Sequence, residues 1–76
     1  MILVYLNDRT GTRTAVPCGP DDTVGQLKAV AAGLIGRRVD TIELSRQGMG
    51  RLNDKITLAD YEIHNGVQLD LYTRSG

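Results

Sequence analysis

Apolar positions alternate at both ends of this chain and recur at helical spacing between them. Ile2, Val4 and Leu6 fall on one face of the opening run, which predicts a strand over residues 1–7. Asn7-Asp8-Arg9-Thr10-Gly11 gathers turn formers, and Thr12 to Cys18 returns as a second strand, so the two make a hairpin. Thr14, Val16 and Cys18 face inward in that strand. Pro17 has no N–H to give to a ladder, which places the strand at a sheet edge.

Cys18-Gly19-Pro20-Asp21-Asp22 reads as a loop leading to Thr23, a good helix N-cap. Thr23 and Gln26 have the spacing of a capping box, in which each side chain satisfies a free backbone N–H of the other residue. Val24, Leu27, Val30, Ala31 and Leu34 then recur at helical spacing, and Gly36 is the expected C′ residue. Gly25 and Gly33 each weaken such a helix by about 1 kcal/mol relative to Ala, so packing must hold it. Thr41 to Ser45 predicts a third strand with Ile42 and Leu44 inward. Arg46 to Gly50 is a turn, and Arg51-Leu52 a short paired piece. Thr57 caps a brief helical turn carrying Leu58 and Tyr61. The last strand presents Val67, Leu69 and Leu71 to the core, and Thr73 to Gly76 follow as a polar tail with nothing to pack.

Strand, strand, helix, strand, short strand, helical turn and closing strand is the order of an α+β β-grasp fold, a mixed sheet packed on one α-helix. The expected organisation is one domain over residues 1–72 and a flexible tail over 73–76. Seventy-six residues leave no room for a second domain.

Charge and cysteine content narrow the function classes. Nine basic and nine acidic residues cancel, which argues against nucleic acid or a membrane surface as a direct partner. The only aromatics are three tyrosines, too few for a stacking platform. A lone cysteine, Cys18, cannot close an internal disulfide, and Met1 opens straight into a strand without a secretory leader, so the chain reads as intracellular. No apolar run is long enough to span a bilayer. Cys18 occupies an inward position with no neighbour that lowers its pKa, the setting of an inert thiol. No Cys/His cluster, phosphate-cradling loop or Ser/His/Asp set appears. The expectation is a monomeric non-enzyme with neither metal nor cofactor.

The residues that sharpen this reading are Asn7-Asp8-Arg9, Cys18, Asp21-Asp22-Thr23, Gly25, Leu27-Lys28, and Asp60-Tyr61-Glu62-Ile63-His64 before Gly66. In this order they resemble the Homologous-to-Ubiquitin family, also called the ubiquitin-like protein five family. The likeness spans residues 1–72, with about one inserted residue around Gln47-Gly48-Met49-Gly50. It implies a non-covalent regulator of pre-mRNA splicing, found in nucleus and cytoplasm. Such a protein docks on a helical motif of a spliceosomal tri-snRNP protein, with a splicing helicase as a further partner. Two features depart from the family. Tyr72 is followed by Thr73 rather than a second tyrosine, and Val39 and the Gly-rich turn replace aromatic residues.

The resemblance places an acidic contact for a partner arginine at Asp22, with Asp21 the neighbouring candidate; a carboxylate can take a guanidinium through two directional bonds. The simpler role for either acid is to face the positive end of the helix, for about 0.3–1 kcal/mol. His64 is a candidate second contact by resemblance, and otherwise a solvated turn residue. Where ubiquitin presents an apolar Ile, His and Val patch, the aligned residues here are Ser45, Asp70 and Tyr72, which disfavours the usual ubiquitin receptors. Leu3 and Tyr5 point outward from the first strand, and with Tyr72 they make a candidate second docking surface. Gly76 supports a rival from another class: a conjugated modifier activated through its terminal glycine. Lys28 and Lys55 are the only lysines available to accept linkage.

Overall fold

The computed structural model describes residues 1–74. Strands β1 (Ile2–Asn7) and β2 (Arg13–Cys18) form the hairpin, and helix α1 (Val24–Ile35) follows. A 3-10 turn at Val39–Thr41 leads into β3 (Ile42–Arg46), then β4 (Gly50–Arg51) and β5 (Gln68–Thr73). The sheet order is β2-β1-β5-β3-β4. The β1–β5 pair is parallel, while β1–β2, β3–β5 and β3–β4 are antiparallel. One helix crossing one face of this mixed sheet is a ubiquitin-like β-grasp fold.

Alternation along the strands sends Val4, Leu6, Val16, Cys18, Ile42, Leu44, Leu69 and Leu71 into the core. The helix contributes Val24, Leu27, Ala31 and Ala32, and the segment between β4 and β5 contributes Leu52, Leu58 and Ile63. Pro17 sits where a proline costs least. The Tyr5 N–H donates to the Val67 carbonyl and the Gly66 N–H to the Leu3 carbonyl, so the odd residues of β1 bond toward β5. The even residues therefore bond β2 through Thr14, Val16 and Cys18, and the backbone nitrogen of Pro17 faces the free edge.

The capping box forms as its spacing predicts. The Thr23 N–H reaches Gln26 Oε1 at 2.7 Å, and the Gln26 N–H reaches Thr23 Oγ1 at 3.2 Å. Gly36 closes the helix in the left-handed region (φ 71°), and the Arg37 N–H donates back to the Ala32 carbonyl at 3.0 Å. The apolar residues that recur at helical spacing along α1 are not all buried. Val30 and Leu34 are exposed, while Lys28 is buried and forms a 2.9 Å ion pair with Asp54. The helix is apolar over most of its circumference, and its buried residues are Val24, Leu27, Lys28, Ala31 and Ala32.

Gly25 is more than a weak point. Its N–H donates to the Asp54 carbonyl at 2.9 Å, and a β-carbon there would lie 3.2 Å from that same oxygen. The close approach of helix start and loop requires the missing side chain. Gly33 faces open space.

Thr57 caps a single turn, its hydroxyl accepting the Asp60 N–H at 3.1 Å. The turn ends as α1 does, with a residue in the left-handed region: Glu62 (φ 57°) donates its N–H to Ala59, and Ile63 donates to Leu58. Thr73, expected to begin a free tail, instead pairs with Ile42. Arg74 donates its N–H to the Thr41 carbonyl at 2.7 Å and its guanidinium to the Asp40 carbonyl at 2.8 Å. Ser75 and Gly76 lie outside the described residues.

Candidate partner-binding site

The loop between β2 and α1 holds Asp22 in a fixed pose. Asp22 Oδ2 accepts the Gly19 N–H at 2.8 Å, and the Asp22 N–H returns to the Gly19 carbonyl at 3.1 Å. The Asp22 carbonyl accepts from Leu58 at 2.8 Å, and the neighbouring Pro20 carbonyl accepts from Ala59 at 2.9 Å. The side chain is thus half-buried against its own loop, and the loop is clamped to the 57–62 turn. Among the described residues, Asp22 Oδ1 carries no hydrogen bond. That oxygen is the one available to a partner. Asp21, next to it, is exposed and makes no side-chain bond among the described residues.

Exposed apolar residues lie on and beside the loop that carries this carboxylate. Ile2 pairs with Cys18 at the end of the β1–β2 ladder, and Met1 just before it is almost fully exposed. Pro20 and Ala59 are exposed on either side of their shared hydrogen bond. Cys18 lies beneath, buried. Its thiol pKa is raised chiefly by burial and further by the Asp22 carboxylate, against a smaller opposing effect of the Met1 ammonium. Such a thiol stays protonated and unreactive near neutral pH.

His64 and Leu3 belong to the same end of the molecule. The Leu3 N–H donates to Asn65 Oδ1 at 2.8 Å, and the Gly66 N–H donates to the Leu3 carbonyl at 2.8 Å. The 57–66 segment therefore runs from the Asp22 loop to the start of β1. His64 is exposed in that segment, and its carbonyl accepts the Val67 N–H at 3.1 Å. Asp22, Asp21, His64 and Leu3 gather at one pole of the fold. The sequence gives no direct sign of this; only pairing between distant segments brings them together.

Tyr5 and Tyr72 do not complete a patch with Leu3. Tyr5 is half-buried, with the Arg13 guanidinium stacked 5.1 Å from its ring centre. It pairs with Gln68 across the parallel ladder, and Tyr72 lies four residues on, roughly 13 Å further along. Asn7, Gln68 and Asp70 occupy the face between, with Asn7 Nδ2 bonded to Gln68 Oε1 at 2.9 Å. Tyr72 is instead opposite Glu43, whose carboxylate lies between Arg51 (3.7 Å) and Arg74 (3.4 Å). Ser45 faces Asp70 directly, so the centre of the outer sheet face is polar. The supposed three-residue apolar surface is thereby divided.

Among the described residues, no group of three His, Cys, Asp or Glu side chains is placed to hold a metal ion, and no helix is long and apolar enough to cross a membrane. Every buried side-chain polar atom among them has a partner, so no orphaned group points to a missing ligand.

No family model matches the chain. Curated relatives do. Ubiquitin-like modifier hub1 of Schizosaccharomyces pombe is 46% identical over 72 residues, covering 95% of this chain and 97% of the relative. Ubiquitin-like protein 5 of Drosophila melanogaster is 43% identical over the same coverage. Ubiquitin-like modifier HUB1 of Saccharomyces cerevisiae is 42% identical, again over 95% of this chain. With this likeness end to end and the β-grasp fold beneath it, the chain belongs to the Hub1/ubiquitin-like protein 5 family of ubiquitin-like modifiers.

Proposed function

We propose that this protein is a non-enzymatic, non-covalent docking partner for short helical segments of spliceosomal proteins, and that it modulates pre-mRNA splicing in nucleus and cytoplasm. A helical motif of a tri-snRNP protein is the first partner, and a splicing helicase a further one. The observation that carries the reading is the Asp22 carboxylate, held by the Gly19 N–H with Oδ1 left open on a loop that also exposes Pro20 and is bonded to the exposed Ala59. A partner arginine takes that oxygen, while Met1, Pro20 and Ala59 receive apolar side chains beside it. The ion pair sets register and the apolar contact supplies affinity. His64 and Asp21 flank the same pole. Calorimetric titration with an arginine-bearing helical segment of the tri-snRNP protein tests this. Asp22→Ala must weaken the complex while the domain stays folded; unchanged affinity rules the anchor out.

One rival is a conjugated modifier activated through Gly76; two of the relatives carry the word modifier in their names. Against it stands the anchoring of Arg74 by Thr41, Asp40 and Glu43, two residues before that glycine. An activating enzyme drawing Gly76 into an extended channel would have to strip those bonds first.

A further inference from the structure

A groove opens at the pole opposite Asp22, between the end of α1, the β1–β2 turn and the end of β5, with a volume of about 540 Å3. Its floor is apolar, made by the buried Leu6 and Leu71 with the half-buried Ile35, and Leu34 stands at its rim, 56% exposed. Thr10, Thr12 and Thr14 supply hydroxyls along one wall.

The charges lining the groove are Asp8, Arg9 and Arg37. Asp8 is committed to its own turn. Its Oδ1 accepts the Thr10 N–H at 2.9 Å, the Thr10 hydroxyl at 2.7 Å and the Thr12 N–H at 3.0 Å. Arg9 and Arg37 are exposed, and among the described residues neither side chain has an ion pair or hydrogen bond. The carbonyl end of α1 adds a partial negative charge beside Arg37, equivalent to about half an electron. With the Asp8 carboxylate set against Arg9 and Arg37, the lining keeps a net charge of +1, which still outweighs it.

We propose that this groove binds an acidic peptide segment carrying one large aliphatic side chain, which lies on Leu6, Ile35 and Leu71 while flanking carboxylates meet Arg9 and Arg37. Each part of the groove answers a part of such a ligand. The floor and Leu34 take the aliphatic group out of water. The guanidiniums recognise carboxylates through paired N–H donors. The Thr10 and Thr12 hydroxyls are engaged with Asp8 and with each other, which leaves the Thr14 hydroxyl to bond the peptide backbone. A nucleic-acid backbone would satisfy the arginines and leave the apolar floor uncovered, which is why a peptide is favoured. This surface is independent of the splicing reading, because it uses none of the residues around Asp22.

Selection from a random peptide library on three immobilised forms tests the proposal: the unaltered protein, Arg9→Glu/Arg37→Glu, and Asp22→Ala. Circular dichroism checks that each is folded. The expected result is recovery of peptides with Asp or Glu beside Leu, Ile or Met from the unaltered protein and from Asp22→Ala. Recovery on the doubly reversed form falls about tenfold, and lysine-substituted copies of the same peptides regain binding to it. Enrichment of peptides without acidic residues, undiminished recovery on the reversed form, or no enrichment above background would each overturn it. So would displacement of the selected peptides by an oligonucleotide that binds through the same two arginines.

Discussion

Asp22 Oδ2 accepts the Gly19 N–H at 2.8 Å, so the two oxygens of this carboxylate have different tasks. One holds the loop, and the other is open. A substitution can therefore separate structure from recognition. Asn at position 22 keeps an acceptor for Gly19 and removes the charge; Ala removes both. Asp22→Asn is expected to leave the thermal midpoint close to that of the unaltered protein and to lower affinity for an arginine-bearing helix about tenfold. Asp22→Ala is expected to lose similar affinity and also about 1 kcal/mol of stability, because the Gly19 N–H loses its acceptor. Calorimetry and thermal denaturation on both variants read the two effects apart.

The two helical glycines should respond oppositely to alanine. A β-carbon at Gly33 meets nothing within 4 Å, so Gly33→Ala gains the ordinary helix preference of about 0.5–1 kcal/mol and raises Tm by several degrees. At Gly25 the same carbon would press to 3.2 Å of the Asp54 carbonyl. Gly25→Ala is expected to recover none of that gain and to disturb the Lys28–Asp54 pair one turn on. Thermal melts of the two variants side by side settle the contrast.

Glu62 holds a left-handed conformation (φ 57°) that costs an ordinary residue about 1–2 kcal/mol. Asn tolerates that region better, and a β-branched side chain tolerates it worse. Glu62→Asn should raise the urea midpoint, and Glu62→Val should lower it, with the hydrogen bonds to Ala59 and Leu58 unchanged in the former. Equal midpoints would mean that the turn relaxes without cost.

The lysines are not equivalent acceptors. The side chain of Lys28 is 9% exposed and bonded to Asp54 at 2.9 Å, whereas Lys55 is exposed. Brief treatment with an amine-acylating reagent should modify Lys55 and the Met1 amine and spare Lys28 until the chain is unfolded. Peptide mapping by mass spectrometry reads this directly. Any lysine-linked attachment to the folded protein is accordingly expected at Lys55.

Local patterning made most of the fold legible. Alternation located the strands, Thr23 and Gln26 marked the helix start, and Pro17 marked an edge. The misreadings have a common cause, which is dependence on distant pairing. Periodicity across a helix as apolar as α1 cannot select between the Leu27 and Val30 faces, because only the sheet decides which is covered. Lys28 is buried on account of Asp54, 26 residues away. Leu3, Tyr5 and Tyr72 share an outward face, but the parallel β1–β5 register carries Tyr72 away from the other two. Thr73 and Arg74 have no local reason to be ordered; Ile42, Thr41 and Asp40 hold them. For the candidate site, the sequence supplied Asp22 and His64 as separate residues, and the fold joined them at one end. The groove beside Arg9 and Arg37 left no sequence signal, since its walls come from three segments.

The most direct measurement is a denaturing blot of the tagged full-length protein in cells, beside a form ending at Arg74 and thus keeping every described backbone anchor. The non-covalent account predicts identical lanes without higher-mass adducts, and equal splicing activity from both forms. Adducts that survive denaturation in the full-length lane alone would contradict it and make Gly76 the functional residue.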